Sequence, residues 1–230
     1  MRFYRFFLDL FEEMTTAMAH TILVNSKFTQ GIYLESFSLI QRCCKSKVPQ
    51  ILYPAINEKN YVVSQDAARP GGVEELLQRP NLSRDTLVLT SLNRYERKKN
   101  INLALESFAK YVKKPGARQD TLLVIAGGYD ERLLENVEHH LELVNLAKSL
   151  GVMEKVVFLR SISNDERVLL LQRTDVLLYT PANEHFGIVP VEAMWLGCAV
   201  IACNSGGPLE SIADGKTGYL RAPDASIWSE

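Results

Sequence analysis

The chain has 230 residues, 47% of them hydrophobic and 23% charged, which is typical of a globular protein with one large domain or one and a half smaller ones. Its formal net charge of −1 at pH 7 removes any global electrostatic argument for nucleic-acid binding. No apolar run reaches the roughly 18 residues that a membrane-spanning helix needs.

The first 54 residues predict one helix and two short strands. The helix is amphipathic, and its large apolar side chains are Phe3, Phe6, Phe7, Leu10 and Phe11. Two neighbouring arginines would suit a helix on a membrane surface, although a helix packed against the protein core is the interpretation we favour. Apolar runs at 21–24 and 50–53 predict the strands, and Pro54 ends the second one.

The segment 55–84 is mostly polar and contains several prolines and glycines, which predicts a linker and loop. After it, short apolar runs alternate with amphipathic stretches. The predicted strands are 87–89, 122–125, 156–159, 176–179 and 200–202. The predicted helices are 100–112, 131–150, 163–173, about 188–196 and a short one opened by the glycines at 206–207.

These later strands are continuously apolar, which indicates burial on both faces of a sheet. Their alternation with helices predicts an α/β fold, a Rossmann-like parallel sheet with helices on both faces. Ligands of such folds bind beyond the carboxyl ends of the strands. The loops expected to line one crevice are therefore those after Leu89, Ile125, Leu159, Tyr179 and Ala202.

The loop after Leu89 is basic and opens a helix. Arg94 could hold a diphosphate with its planar fork of donors, and Lys99 could hold it with a compact charge. The same residues also fit a solvated surface loop, and this loop alone does not decide between the two interpretations.

The loop after Tyr179 contains Glu184 and Gly187, and the glycine lets a ligand approach the backbone closely. A helix that begins near Ile188 would aim free N–H groups and its positive dipole end at the crevice, which makes an anion site. Glu192 lies about one turn further and could accept hydrogen bonds from sugar or ribose hydroxyls. The alternative is a loop and helix that carry two surface carboxylates.

Several ordered motifs resemble the donor-binding domain of the GT-B glycosyltransferases of the large retaining family four. They are the segment 184–192, the glycine-rich turn 206–210, the Arg94-to-Lys99 spacing and the strand motif 214–220. Segments 24–29 and 53–57 are similar to the end of that family's acceptor domain and to its interdomain linker. The resemblance implies an acceptor-domain remnant with linker at 1–54, a linker or loop at 55–84, and a carboxyl-truncated donor domain at 85–230. The strand at 21–24 would then have no parallel neighbour.

The resemblance also implies roles for individual residues. Arg94 and Lys99 would hold the diphosphate, Glu184 would contact the donor sugar near the reacting carbon, and Glu192 would accept from the ribose hydroxyls. Backbone N–H groups between these two glutamates would assist, and they belong to Phe186, Gly187, Ile188 and Val189. The implied catalytic residues are Glu184, Arg94 and Lys99. The chain departs from the family at Arg160, which stands where a glycine is usual in the loop expected to meet the base.

Neither a metal site nor a cofactor is predicted. The four cysteines form no metal-binding pattern, and Cys198 and Cys203 lie in apolar sequence typical of buried thiols. The chain has no Asp-x-Asp sequence to carry a divalent ion, so we predict transfer that does not depend on metal.

Segments 93–100, 126–132 and 183–190 narrow the resemblance to the mannosyltransferases of asparagine-linked glycan assembly. That implies GDP-mannose as donor, a dolichyl-diphosphate-linked Man-GlcNAc-GlcNAc acceptor, α-1,3 and α-1,6 linkages, and peripheral contact with the cytosolic face of the endoplasmic reticulum membrane. The alternatives are a relative that uses UDP- or ADP-glucose and a truncated, non-catalytic isoform. Because most of the acceptor half is missing, we expect the chain alone to bind the donor weakly and to transfer poorly or not at all.

Overall fold

The computed structural model describes residues 2–43, 47–61, 72–80 and 82–230. The chain divides into two compact units, a first unit over Met1–Ala55 and a second unit over Ile56–Glu230. Residues 62–71, which fall in the segment predicted as linker and loop, lie outside the described ranges.

The first unit has a β-α-α-β core preceded by a helix. Its elements are α1 (Arg2–Ala17), β1 (Leu23–Val24), α2 (Lys27–Ser36), α3 (Ser38–Cys43) and β2 (Gln50–Ile51). Strands β1 and β2 pair in parallel, with Leu23 opposite Gln50 and Val24 opposite Ile51. The expectation that the strand at 21–24 has no parallel neighbour is therefore wrong. The helical connection through α2 and α3 is long enough to bring β2 back beside β1 in the same direction.

The apolar side of α1 is exposed in this chain, which differs from the core-packed helix that we favoured. Phe6, Phe7 and Phe11 are 61%, 52% and 67% exposed. The buried side of the helix instead carries Glu13, whose carboxylate accepts a hydrogen bond of 2.8 Å from the backbone N–H of Ile40. The helix is thus anchored to α3 by a polar contact, and Phe6, Phe7 and Phe11 face outward.

The second unit alternates strands and helices, as predicted. Its strands are β3 (Leu87–Leu92), β4 (Thr121–Gly127), β5 (Val156–Arg160), β6 (Val176–Tyr179), β7 (Ala199–Cys203) and β8 (Tyr219–Arg221). Its helices are α4 (Gly72–Leu76), α5 (Asn102–Val112), α6 (Leu134–Ser149), α7 (Asn164–Arg173), α8 (Ile188–Trp195), α9 (Pro208–Ser211) and α10 (Ala225–Trp228). Short 3₁₀ turns are present at Glu58–Tyr61, Arg97–Lys99 and Met153–Lys155.

All neighbouring strands of the second unit pair in parallel, in the order β5-β4-β3-β6-β7-β8. The chain moves outward from β3 through β4 to β5 and then returns to place β6 on the other side of β3. The strand order therefore reverses between β3 and β6, which is where doubly wound sheets form a binding crevice.

Two apolar clusters sandwich this sheet, because successive side chains of a strand point to opposite faces. One cluster joins Val88 and Val124 to helices α4, α7 and α8, and the other joins Leu89 and Leu123 to helices α5, α6 and α10. The predicted parallel sheet with helices on both faces is confirmed.

The segment predicted as linker and loop contributes to this core where it is described. Leu76 at the end of α4 and the adjacent Leu77 are almost fully buried in the cluster beside α7. Leu76 and Leu77 pack this mostly polar segment against the core, since burying a leucine contributes about 1.5–3 kcal/mol. Among the helices in the described ranges, none has the length and apolar character to cross a membrane.

Candidate functional site

A pocket of about 260 Å³ opens at the carboxyl ends of β3, β4 and β6. Its wall includes Asn93 and Arg94 after β3, Gly127 and Gly128 at the end of β4, and Lys99, Ile162, Arg167, Tyr179 and Val189. A larger cavity of about 460 Å³ lies near Thr86 and Thr121, at the opposite ends of the strands. That cavity contains none of the predicted site residues, so the crevice at the carboxyl ends is the candidate site.

The loop after β3 is fastened tightly to the end of β4. The backbone N–H of Asn93 donates to the carbonyl of Ala126 at 2.9 Å, and that of Tyr95 donates to the carbonyl of Gly128 at 3.0 Å. A Cβ atom on Gly127 would lie 2.0 Å from the carbonyl oxygen of Asn93, and Gly127 has a φ of 149°. Only glycine permits this approach, which fixes the floor of the pocket.

The basic loop divides into residues that face the pocket and residues that do not. Arg97 reaches across to Glu138 and Glu142 on α6, and Lys98 pairs with Glu96 at 3.1 Å. Arg94 and Lys99 line the pocket. Of the basic side chains in this loop, the structure thus brings to the site the two that were predicted to hold a diphosphate.

Those two cations differ in how firmly they are held. Arg94 is 63% exposed and pairs with Glu96 at 3.0 Å. Lys99 is only 13% exposed, its ammonium forms an ion pair with Glu184, and its backbone carbonyl accepts from the Thr180 hydroxyl at 2.7 Å. Lys99 is therefore a fixed charge at the end of β6, whereas Arg94 is free to reorient toward a ligand.

Glu184 is anchored by its side chain and by its backbone. The Tyr179 hydroxyl lies 3.4 Å from the same carboxylate oxygen that Lys99 contacts, and burial together with Glu184 raises the pKa of Tyr179 above its usual value. The backbone N–H of Gly207 donates to the Glu184 carbonyl at 2.7 Å. A Cβ atom on Gly207 would lie 2.3 Å from Cα of Phe186. The 184–186 loop thus packs directly against the glycine-rich turn at 206–207.

Helix α8 begins at Ile188, as predicted, and presents an uncapped amino terminus. Gly187 precedes it with a φ of 75°, and no side chain accepts from the first turn. Val189 in this first turn lines the pocket, and Phe186 beside it is buried. The first turn of α8 and Lys99 therefore line the same pocket, and the free N–H groups and positive dipole end of a helix start favour an anion there.

Glu192 is not open to the pocket in the way the sequence predicted. It is 4% exposed, and its carboxylate lies 2.7 and 2.8 Å from Nη1 of Arg167. The Tyr61 hydroxyl donates to the same carboxylate at 2.7 Å. Sequence reasoning missed both partners, since Tyr61 and Arg167 follow no spacing that points to Glu192.

Arg160, the departure from the family pattern, is the last residue of β5. It is exposed, and its guanidinium stacks 5.0 Å from the centre of the Tyr129 ring. Tyr129 is tied to the loop after β5 by the Ser161 hydroxyl, which donates to its carbonyl at 2.6 Å. A planar cation that stacks on an aromatic ring therefore stands where the resembled family usually has a glycine.

This geometry suits the cleavage of a bond to a diphosphate leaving group. Negative charge grows on the leaving group as the bond breaks, and the fixed ammonium of Lys99 and the start of α8 lie ready to stabilise it. In the described part of the chain, no group of three or more His, Cys, Asp or Glu residues is arranged to hold a metal ion. Cys198 and Cys203 are buried free thiols, as predicted, and burial raises the pKa of each to about 11.

Curated relatives match the whole chain. The alpha-1,3/1,6-mannosyltransferase ALG2 of Homo sapiens is 44% identical to it over 231 residues, which cover 100% of this chain and 53% of that protein. The protein of the same name from Dictyostelium discoideum is 42% identical over 96% of this chain and 54% of its own length. The chain thus spans about half the length of the curated relatives it matches.

Solved structures and a family model agree with this match. A sucrose-phosphate synthase from Thermosynechococcus elongatus superimposes with a TM-score of 0.75 at 22% identity, over 96% of this chain and half of that one. Anabaena HepE in complex with UDP-glucose gives 0.69 at 24% identity, over 91% of this chain and 53% of that one. At these identities the likeness shows the fold alone. The model of the glycosyl transferases group 1 matches residues 73–227, and the chain belongs to this family, as the sequence motifs predicted.

Proposed function

We propose that this chain forms the donor-binding part of a retaining, metal-independent mannosyltransferase. The donor is GDP-mannose, and mannose is transferred in α-1,3 and α-1,6 linkage to a dolichyl-diphosphate-linked Man-GlcNAc-GlcNAc. Relatives at 36–44% identity that carry the name alpha-1,3/1,6-mannosyltransferase support the reaction and its linkages. The nucleotide, the lipid carrier and the retention of configuration follow from the motif resemblance described above.

One observation carries the proposal: Lys99, whose ammonium pairs with Glu184, lines the pocket at the strand-order reversal together with Val189 from the first turn of α8. The cation and the helix start favour a diphosphate, and the carboxylate can accept hydroxyl hydrogens of the attached sugar. The same pocket therefore offers adjacent positions for the two parts of a nucleotide sugar. In this proposal Lys99 and Arg94 hold the diphosphate, and Glu184 orients the mannose near its reacting carbon.

The binding test is isothermal titration of the chain with GDP-mannose, UDP-glucose and ADP-glucose. We expect weak binding of GDP-mannose and at least tenfold weaker binding of the other two. Tighter binding of UDP-glucose or ADP-glucose would replace GDP-mannose with that donor. Binding of none of the three would favour the non-catalytic isoform.

The transfer test joins the chain to the amino-terminal part of the Homo sapiens relative and supplies a lipid-linked acceptor. We expect mannose transfer with retention of the anomeric configuration, and its loss in Glu184→Ala. Unchanged transfer by Glu184→Ala would remove Glu184 from its role. The variant Glu138→Ala is the matched control, because Glu138 is half-exposed on α6 and contacts Arg97 rather than the pocket.

We also propose that the protein works in peripheral contact with the cytosolic face of the endoplasmic reticulum membrane, where its lipid-linked acceptor is held. The exposed apolar side chains of α1 support this, because Phe7, Phe11 and Met14 recur at helical spacing on one face and are 52–67% exposed. The test is flotation of the chain with liposomes of phosphatidylcholine and phosphatidylserine. We expect Phe7→Ser/Phe11→Ser to stay in the unbound fraction, and equal flotation of wild type and variant would overturn this contact.

A further inference from the structure

Thr180 follows β6 directly, beside Tyr179 of the pocket wall, and its side chain is fully buried. Its hydroxyl donates a hydrogen bond of 2.7 Å to the backbone carbonyl of Lys99, which lies 81 positions earlier in the chain. Further along the same loop, the Glu184 carboxylate forms an ion pair with the ammonium of that lysine. The loop after β6 therefore holds both ends of Lys99, the backbone through Thr180 and the charge through Glu184.

The local structure around Lys99 is a weak constraint on the position of this residue. Lys99 ends the 3₁₀ turn Arg97–Lys99, and a turn of this kind has poorer hydrogen-bond geometry than an α-helix. The next residue, Asn100, has a left-handed φ of 50°, so the chain leaves the helical path before α5 begins at Asn102. The hydrogen bond from Thr180 thus supplies a fixed point from β6, the strand that pairs with β3.

Thr180 is itself held by the next strand of the sheet. Strands β6 and β7 pair with Tyr179 opposite Ala202, which places Thr180 beside Cys203. The Cys203 thiol donates to the carbonyl of Thr180 at 3.1 Å, and burial raises the pKa of this thiol to about 11, so it remains a protonated donor at neutral pH. Two hydrogen bonds therefore connect β7 through Thr180 to Lys99.

Loss of the Thr180 hydroxyl would leave the partly buried carbonyl of Lys99 without this donor. A buried acceptor that loses its partner is costly, so the backbone of Lys99 would shift toward water or another donor. The ammonium belongs to the same residue and would move with it, away from the place where it pairs with Glu184 and lines the pocket. A charge held in place before the ligand arrives stabilises that ligand best, because no reorganisation is needed.

We propose that Thr180 is a positioning residue, whose hydroxyl fixes the backbone of Lys99 so that the ammonium meets a diphosphate without rearrangement. This inference rests on the proposed function, because it takes the ligand to be a nucleoside diphosphate held by Lys99. Since Thr180 is uncharged and fully buried, its effect on binding passes through Lys99.

The test is a double-mutant cycle of Thr180→Val and Lys99→Met in the 230-residue chain. The affinity for GDP is measured by NMR titration, which follows weak binding. Valine keeps the branched shape of threonine and removes the hydroxyl, so Thr180→Val should weaken GDP binding about tenfold in the wild-type background. In the Lys99→Met background the same change should weaken it less than about twofold, because no charge is left to misplace. Thr180→Ser keeps the hydroxyl and should bind GDP within about twofold of the wild type.

Thr90→Val is the matched control. Thr90 is also fully buried, and its hydroxyl lies 2.7 Å from that of Thr174, so this variant removes a contact of the same length between β3 and the end of α7. Both valine variants should lower the melting temperature, but Thr90→Val should leave GDP affinity within about twofold of the wild type. If Thr180→Val does not fold, Cys203→Ala removes the preceding hydrogen bond, and it should weaken GDP binding about threefold in the wild-type background and not in Lys99→Met.

Three outcomes contradict the inference in distinguishable ways. GDP affinity that is unchanged by Thr180→Val would show that the hydroxyl does not set the position of Lys99. An equal loss in both backgrounds, or an equal loss in Thr90→Val, would show that Thr180 acts on the fold and not through Lys99. Failure of the wild type to bind GDP, or binding by Lys99→Met that is as tight as that of the wild type, would overturn the diphosphate site of the proposed function itself.

Discussion

Replacement of Lys99 by methionine tests the candidate site most directly. Methionine keeps the unbranched shape of the lysine stem and removes only the charge. Lys99 is 13% exposed and paired with Glu184, which is 23% exposed, so neither charge is fully solvated. The variant therefore removes an attraction for diphosphate and also leaves the Glu184 carboxylate beside the ligand without its cation.

The magnitude follows from Coulomb's law. A unit charge about 4 Å from one phosphate charge contributes about 4 kcal/mol at an effective dielectric constant of about 20. Part of this attraction does not contribute to binding, because Lys99 is already paired with Glu184 before the diphosphate arrives. A net loss of about 3 kcal/mol remains, which corresponds to roughly 100-fold weaker binding of GDP.

The double variant Lys99→Met/Glu184→Gln separates the two contributions. Removal of the unpaired carboxylate should recover about tenfold of the lost affinity, or about 1.4 kcal/mol. Affinities are measured by titration with GDP, and circular dichroism checks that each variant is folded. Lys98→Met is the matched control, because Lys98 is 68% exposed, pairs with Glu96 and lies outside the pocket. Its effect on GDP binding should stay below about twofold.

Two results would refute this reasoning. If Lys99→Met binds GDP within threefold of the wild type, the diphosphate does not lie against Lys99. If the double variant binds no better than Lys99→Met, Glu184 does not face the ligand, and the carboxylate would have to be placed elsewhere in the site.

Two glycines, two buried cysteines and the predicted metal independence give further predictions. Gly207→Ala should lower the free energy of unfolding by about 1–3 kcal/mol and abolish GDP binding, because its Cβ would lie 2.3 Å from Phe186. Gly31 lies in α2 with open space around it, so Gly31→Ala should instead raise the free energy of unfolding by about 0.5–1 kcal/mol, as measured by urea titration. Cys198 and Cys203 should react slowly with iodoacetamide at pH 8, since burial holds the pKa of each thiol at about 11, and peptide mass spectrometry after unfolding should show both labelled; rapid native labelling would contradict their burial. Binding of GDP should be unchanged by excess EDTA, and a requirement for manganese would overturn metal independence.

Elements with a strong local signal were predicted closely from the sequence. Strand β6 has the bounds expected from its apolar run, 176–179. Helix α7 (Asn164–Arg173) lies within one residue of the predicted 163–173, and Ser163 and Glu166 form a capping box in which both hydrogen bonds are present. These signals depend on residues within one turn or one strand of each other, so the sequence contains all of their chemistry.

Elements completed by distant partners were predicted less well. The strand expected at 87–89 extends to Leu92, because Thr90 is buried with its hydroxyl 2.7 Å from that of Thr174, a partner 84 residues away. The helix expected from residue 131 begins at Leu134 for a local reason instead, because the Asp130 carboxylate accepts from the backbone and guanidinium of Arg132 and holds the preceding turn. A polar residue such as Thr90 predicts the end of a strand, but a tertiary hydrogen bond satisfies its hydroxyl and the strand continues.

The residues of the candidate site also divide into those predicted from local signals and those that depend on distant partners. Lys99 and Glu184 were identified from their loops, and the structure brings them into contact. The enclosure of Glu192 by Tyr61 and Arg167 was not predicted, since it joins residues 131 and 25 positions from Glu192. No local pattern reports which arginine of a helix will turn toward a carboxylate on another one.

The long sequence separation between the residues of the site has a consequence for the order in which the chain can fold. Lys99 and Glu184 are 85 positions apart in the chain. They meet only after β6, which follows β4 and β5 in the sequence, has paired with β3 in the sheet. An intermediate that contains only β3, β4 and β5 would have the basic loop without its acidic partner or the start of α8. The proposed function therefore requires the completed sheet for nucleotide binding, and the rate at which GDP binding returns during refolding should report the slow, non-local β3–β6 pairing.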